Sequence, residues 1–157
     1  MDKLSKTVKE SRTEQVHILM PGDINGSGRL FGGALMQWID IVAAVVARRH
    51  SGLDVTTACV DDLVFHAPAY KNDTILLVGA LACVGRSSME VRVETYVEAL
   101  TGTRKLVNRA YVTMVAVDGH GKPRQVPGLV LETDSERAEW AEGEKRLLAR
   151  RKRRAAQ

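Results

Sequence analysis

The sequence predicts an α+β domain in which a long antiparallel sheet is wrapped round one central helix, about residues 32–50, with a peripheral helix at the C-terminus. Three observations predict it. Only one segment, Ala34 to Ala47, carries apolar residues on nearly every side of a helix, the pattern of a buried helix. Long runs follow it in which the apolar period falls to two. No further helix alternates with those runs, so hairpin-connected antiparallel strands remain, rather than parallel crossovers.

Each element has a local reason. Residues 1–12 are polar and are expected to form a flexible N-terminus. Thr13 to Met20 has enough Val, Ile and Leu for a first strand, and Pro21-Gly22-Asp23 with Asn25-Gly26-Ser27-Gly28 must then be loop. The central helix should stop at Arg48-Arg49-His50-Ser51-Gly52, where cations meet the negative helix end and glycine can take a left-handed cap. Val55–His66 and Asp73–Val84 read as strands. In the next strand Met89, Val91, Val93 and Val97 fall on a dry face, and Glu90, Arg92, Glu94 and Glu98 on a wet one. Lys105–Val117 is the last long strand, and Asp118-Gly119-His120-Gly121 a tight turn. Thr133 with Glu136 fits a capping box opening the C-terminal helix. The expected organisation is residues 1–12 flexible, 13–127 the main domain, and 128–157 a C-terminal helix with a basic tail.

Composition narrows the function classes. The chain has 157 residues, 45% of them apolar and 4% aromatic, so one domain with an aliphatic core is expected. The net charge is +4, but seven cations follow position 144 with no carboxylate after them, leaving the rest net acidic. Such a tail could touch an anionic surface, but most such runs are a solvated helix end; without an aromatic or helix-turn-helix pattern, nucleic acid is not the expected partner. Cys59 and Cys83 lack metal or redox spacing and read as buried thiols. The four histidines show no ligand pairing, so no metal is expected. There is no secretory h-region, and Ala34–Ala47 is too short and carries Asp40 too centrally for a membrane span, so a cytoplasmic protein is expected.

Several residues carry possible chemistry. The run from Gly26 to Gly33 fails as a nucleotide loop, because a dinucleotide fingerprint needs glycine where Phe31 stands and no Gly-Lys-Ser or Gly-Lys-Thr follows. Gly32 and Gly33 at a helix start either leave N–H groups open to an incoming oxygen or simply permit close packing. Asp40, between Ile39 and Ile41, is either paired structurally or used as a general base in a dry site. Asn25 is a turn former or a polar contact. His66 stands at a strand end, and Ser87 and Ser88 follow Gly85-Arg86 as loop polarity or as a phosphate contact. No Gly-x-Ser-x-Gly elbow marks a serine nucleophile.

Taken together, Leu30-Phe31-Gly32-Gly33 to Asp40, Phe65-His66-Ala67-Pro68, Gly85-Arg86-Ser87-Ser88-Met89-Glu90-Val91, Thr101-Gly102-Thr103-Arg104-Lys105-Leu106 through Asn108-Arg109-Ala110, and Val115-Ala116-Val117-Asp118 resemble the hot-dog-fold acyl-coenzyme A thioesterases, specifically the cytosolic acyl-CoA hydrolase branch, over about residues 13–127. The resemblance implies the hot-dog fold, hydrolysis of acyl-CoA to free acid and coenzyme A, and a site at a dimer interface. It implies a homodimer at minimum, with growth to a trimer of dimers. No cofactor is implied, since coenzyme A is substrate moiety and product. Carried over by position, Asp40 would activate water or attack the carbonyl, Asn25 would reach from the other subunit, and the amides of Gly32, Gly33 or Ala34 would hold the oxyanion. Arg86, Ser87 and Ser88, with Phe65 and His66, would contact coenzyme A. A rival reading on the same fold is a non-catalytic acyl-CoA-binding sensor, supported only by the basic tail; an enoyl-thioester hydratase would need an Asp/His pair that His50 and His66 are poorly placed to supply.

Overall fold

The computed structural model describes residues 4–157. A five-stranded antiparallel sheet, in the order β2-β4-β5-β6-β3, curls round helix α2 (Gly32–Ser51). Its strands are β2 (Thr13–Ile18), β3 (Asp54–Phe65), β4 (Thr74–Val84), β5 (Ser88–Glu98) and β6 (Arg104–Val117). The second helix of size, α3 (Asp134–Ala155), crosses the outer face of that sheet. This is the wrapped-helix arrangement expected of the hot-dog fold.

Helix α2 is seated by an aliphatic stripe, Leu35, Ile39, Val42, Ala43, Val46 and Ala47, against the inward residues of β4, β5 and β6. Each fully buried branched side chain of this kind contributes about 1.5–3 kcal/mol. The closest approach is at Gly79 of β4, where an added Cβ would lie 2.6 Å from Val42 Cγ1 and 3.0 Å from Val46 Cγ2. Gly52 ends the helix at φ +69°, its N–H donating to the Arg48 carbonyl at 2.8 Å.

Four sequence expectations need correction. The N-terminal segment is structured from Ser5: β1 (Ser5–Thr7) pairs in parallel with β7 (Gly128–Val130), and the short helix α1 (Val8–Ser11) buries Val8 and Ser11, so tertiary pairing overrides a polar composition. Residues 1–3 lie outside the described residues. Second, α2 is not covered all round: Met36, Gln37, Asp40 and Ile41 form an exposed face of the single chain. Third, Glu90 is not on a wet face. It is 2% exposed, because α3 lies over it and supplies Arg146 and Arg150 at 2.7 and 2.8 Å. Fourth, the basic tail is not simply solvated: Arg150 also pairs with Asp61 at 3.0 Å, and Arg146 stacks 3.6 Å over the Tyr111 ring. The capping box half-forms as expected, with Thr133 Oγ1 accepting from the Glu136 N–H at 3.1 Å, while the Glu136 carboxylate turns back to the Glu132 N–H.

Strand β3 is an edge strand and is irregular. Its pairing with β6 shifts register between Thr57 and Cys59 and again between Asp61 and Val64, with Asp62 in the left-handed region at φ 53°. Each extra residue flips the two-residue alternation of facing. Thr57, Val60 and Leu63 therefore all look inward, while Cys59 and Asp61 look outward, a pattern an unbroken strand cannot produce.

Candidate active site

Asp40 sits two helical turns into α2, on the face that the sheet leaves open. The first bulge of β3 places Thr57 opposite it, and the Thr57 hydroxyl donates to Asp40 Oδ1 at 2.6 Å. Among the described residues no cation pairs with this carboxylate, and its second oxygen, Oδ2, has no hydrogen-bond partner. Beside it a small cavity of about 150 Å³ is lined by Met36, Ile39, Val60, Leu63 and Val112. Val60 and Met36 remain 44% and 48% exposed, so an apolar wall borders the carboxylate and opens at the sheet edge. The expectation of a deeply buried acid is therefore corrected for the single chain: Asp40 is at the surface, beside uncovered aliphatic groups.

The helix start lies elsewhere. Phe31 caps α2 without any side-chain hydrogen bond, so the first-turn N–H groups of Gly32, Gly33 and Ala34 lack a capping acceptor. Gly33 has a packing reason as well, since an added Cβ would fall 2.6 Å from the Phe31 ring. At Gly32 the nearest atom would be Phe65 Cζ at an ordinary 3.8 Å, which ties the end of β3 to the helix start.

Asn25 closes an Asx turn. Its Oδ1 accepts from the N–H groups of Ser27 and Arg29 at 2.9 and 3.1 Å, which leaves the Nδ2 amide to donate elsewhere. It lines a cavity of about 370 Å³ together with Arg29, Leu35, Phe65 and His66. Asp40 is not among the residues of that cavity, and Asn25 is not among those of the Asp40 cavity. A single chain thus brings Asn25, Phe65, His66 and Gly32 to one end and holds Asp40 with Thr57 apart from them.

Arg86, Ser87 and Ser88 are in a third place. Arg86 and Ser87 lie in the β4–β5 turn and Ser88 opens β5, paired with Val115, whereas Phe65 is level with Asn108 and Thr95. Seven residues of β5 separate those two levels, about 24 Å at ~3.4 Å per residue. Their cavity is on the outer face of the sheet, where Cys59 and Thr113 also point.

Comparison with known proteins identifies the site's context. The sequence pattern of the thioesterase superfamily matches residues 27–101, which span the α2 start, Asp40, Thr57 and β4–β5. An uncharacterised acyl-CoA thioester hydrolase of Bacillus subtilis is 40% identical over 129 residues, 82% of this chain and 75% of that protein. The chain belongs to the thioesterase superfamily. The mouse cytosolic acyl coenzyme A thioester hydrolase, another relative, is 33% identical over 90% of this chain, but the chain spans only 38% of its length. Among solved thioesterases, an apo-hexameric acyl-CoA thioesterase superposes with a TM-score of 0.92 at 37% identity, covering 98% of this chain and 99% of that one. The acyl-CoA hydrolase of Staphylococcus aureus, solved with butyryl coenzyme A and coenzyme A, gives a TM-score of 0.91 at 34% identity, covering 97% of this chain and 93% of that one. It was also solved with an asparagine, an aspartate and a threonine each replaced by alanine, in the order and at the spacing that separate Asn25, Asp40 and Thr57 here.

Thr57 is the residue that sequence reasoning missed. A threonine in a strand is ordinary β-branched filler, and its facing depends on a bulge that the period-two pattern does not reveal.

Proposed function

We propose that this chain hydrolyses acyl-CoA thioesters at a site shared between two subunits, with Asp40 and Thr57 from one chain and Asn25 of the partner subunit. The observation that carries this reading is the Thr57–Asp40 hydrogen bond beside an apolar cavity that opens on an unpaired strand edge. With Oδ1 held by the Thr57 hydroxyl, Oδ2 is the oxygen left to take a proton from water. The water oxygen attacks the thioester carbonyl, the carbonyl oxygen becomes an oxyanion, and the C–S bond then breaks. The thiolate of coenzyme A takes up a proton and the free acid leaves.

Backbone N–H groups of Gly32, Gly33 or Ala34 serve the developing oxyanion, a contribution typically worth about 3–4 kcal/mol per donor. Asn25 contributes through its free Nδ2, orienting the water or the substrate. The Met36, Val60 and Leu63 wall takes the acyl group. Phe65 and His66 flank the pantetheine, and Arg86, Ser87 and Ser88 contact coenzyme A. In this reading two β3 edges pair antiparallel, which would set the Phe65 end of one chain beside the Asp54 end of the other and cover the exposed face of α2. Further assembly into a trimer of dimers and a cytoplasmic location complete the reading.

The test is release of free thiol from a panel of acyl-CoAs. Asp40→Asn and Asn25→Ala chains should each be impaired, and co-refolded together they should recover activity, because each mixed dimer contains one intact site. Impaired variants that gain nothing on mixing would place the whole site in one chain.

A further inference from the structure

Strand β3 supplies two of the side chains that bound the Asp40 cavity, Val60 and Leu63, and between them its ladder to β6 lapses. Among the described residues β3 pairs with β6 alone, and the register shifts between Asp61 and Val64, where Asp62 takes φ 53°. A bulge leaves a residue unpaired and bends its strand, so the position of this wall depends on what else grips it.

The grip is on the opposite face of the sheet. Asp61 Oδ2 accepts from Arg150 Nη1 at 3.0 Å, and Oδ1 from Arg153 Nη2 at 3.2 Å. Arg150 Nη1 also donates to Glu90 Oε2 at 2.8 Å, and Glu90 is held in turn by Arg146 at 2.7 Å. Glu90 stands on β5 and Asp61 on β3, with β6 between them, so one guanidinium reaches across three strands and ties the sheet edge to the sheet centre. The Asp61 and Arg150 side chains are 15% and 11% exposed, which leaves the pair little screened by salt, and the planar fork of arginine gives it a fixed direction.

Successive strand residues face opposite sides, so a tether on Asp61 outside the sheet sets where Val60, just before it, and Leu63, just beyond the bulge, stand inside. The cavity they bound is about 150 Å³, the size of one that takes a benzene-sized guest. A short acyl group fills that space, and a long one has to move the wall. A misfit of one methylene group in an apolar pocket changes discrimination about tenfold or more. Thr57 lies beyond the other register shift of β3, so its bond to Asp40 stands apart from this lever.

We propose that Asp61 is a positioning residue for acyl selection: tethered by Arg150 and Arg153 on the outer face, it holds Val60 and Leu63 in place on the inner face and restricts the cavity to short acyl groups. The inference rests on the thioesterase function proposed above and adds to it a substrate class and the residue that enforces it.

Thiol-release kinetics of the intact protein with hexanoyl-CoA and dodecanoyl-CoA test it. The unmutated protein should have the higher kcat/KM for hexanoyl-CoA. Asp61→Ala should shift the ratio of the two kcat/KM values about fivefold or more toward dodecanoyl-CoA, with kcat for hexanoyl-CoA little changed. Asp61→Glu keeps the charge and should restore most of the ratio. Asp61→Asn keeps the size, should give the same shift in smaller measure, and covers the case in which the alanine variant does not fold. Arg150→Gln added to Asp61→Ala should shift the ratio little further, since the two residues act as one pair. Arg92→Gln cuts a pair between β5 and Glu139 of α3, 3.1 Å apart, without touching β3, and should leave the ratio unchanged. An unmutated protein that favours dodecanoyl-CoA overturns the proposal. So does an unchanged ratio in both Asp61→Ala and Asp61→Asn, or an equal shift in Arg92→Gln, which would mean general loosening of α3; each of these leaves the thioesterase reading intact. Absence of thiol release from every acyl-CoA by the unmutated protein overturns that reading and this inference with it.

Discussion

Thr57 on the edge strand and Asp40 on the central helix are joined by a hydrogen bond of 2.6 Å, the hydroxyl donating to the carboxylate. The bond fixes one carboxylate oxygen and leaves the other without a hydrogen-bond partner among the described residues. Helix and edge strand are thereby held in a set relation at the point where chemistry is proposed.

Asp40→Asn keeps the shape of the side chain and removes its basicity. Turnover of a good acyl-CoA substrate should fall about a hundredfold or more, in the range of general-base contributions. The thermal midpoint should stay near that of the parent, because Asp40 is exposed and pairs with no cation among the described residues. Full retention of kcat would remove Asp40 from the reaction.

Thr57→Val keeps the volume and deletes the donor. A roughly tenfold loss in kcat is expected, about 1.4 kcal/mol, with KM little altered, since the bond orients the base rather than the substrate. Thr57→Ser should recover most of the loss. Steady-state kinetics of the two variants side by side provide the check.

Glu90 tests the seat of α3. Its side chain is 1% exposed and is held by Arg146 and Arg150, so Glu90→Ala leaves two guanidinium groups over a dry face. A loss of about 3–5 kcal/mol is expected from breaking a buried pair at one partner. Urea denaturation measures it, and a change below 1 kcal/mol would mean the helix is held by other contacts.

Gly79→Ala should destabilise through overpacking. The new methyl group would fall 2.6 Å from Val42 Cγ1, so α2 must move away from β4. The expected cost is about 1–3 kcal/mol. Activity should fall with it, because the same helix carries Asp40.

Burial pushes the Cys83 thiol up from its ordinary value of 9.0 to about 12, with the nearby Glu90 carboxylate adding to the effect. The folded state therefore holds this proton more tightly than the unfolded chain. Its contribution to stability is complete below about pH 9 and declines as pH rises toward 12. Stopped-flow reaction with a disulfide reagent at pH 8 should leave Cys83 unmodified until the protein unfolds; rapid labelling in the native state would contradict the burial.

Much of the fold is legible in the residues. The α2 span, its Gly52 cap and the order of the four long strands follow from periodicity and turn chemistry, with ends displaced by a residue or so. What escapes is whatever depends on a distant segment. The β1–β7 pair joins residues far apart in the chain, and neither strand is long enough to declare itself. Glu90 reads as solvated because alternation says which face it takes but not that a helix covers that face. The same holds for the site: the oddity of a carboxylate between Ile39 and Ile41 is visible, but Thr57 needs the register of β3 to be found, and Asp40's exposure needs knowledge of which side of α2 the sheet leaves open.

The two extra residues in β3 also bear on how the molecule keeps to itself. A flat, unpaired border with Val60, Val64 and Phe65 showing would invite any extended peptide to add on. Kinked at two places, that border is a poor template for a regular extended strand. An irregularity of the backbone thus guards the border against indiscriminate strand addition, and removing Ala58 or Asp62 should straighten it and raise the tendency to aggregate.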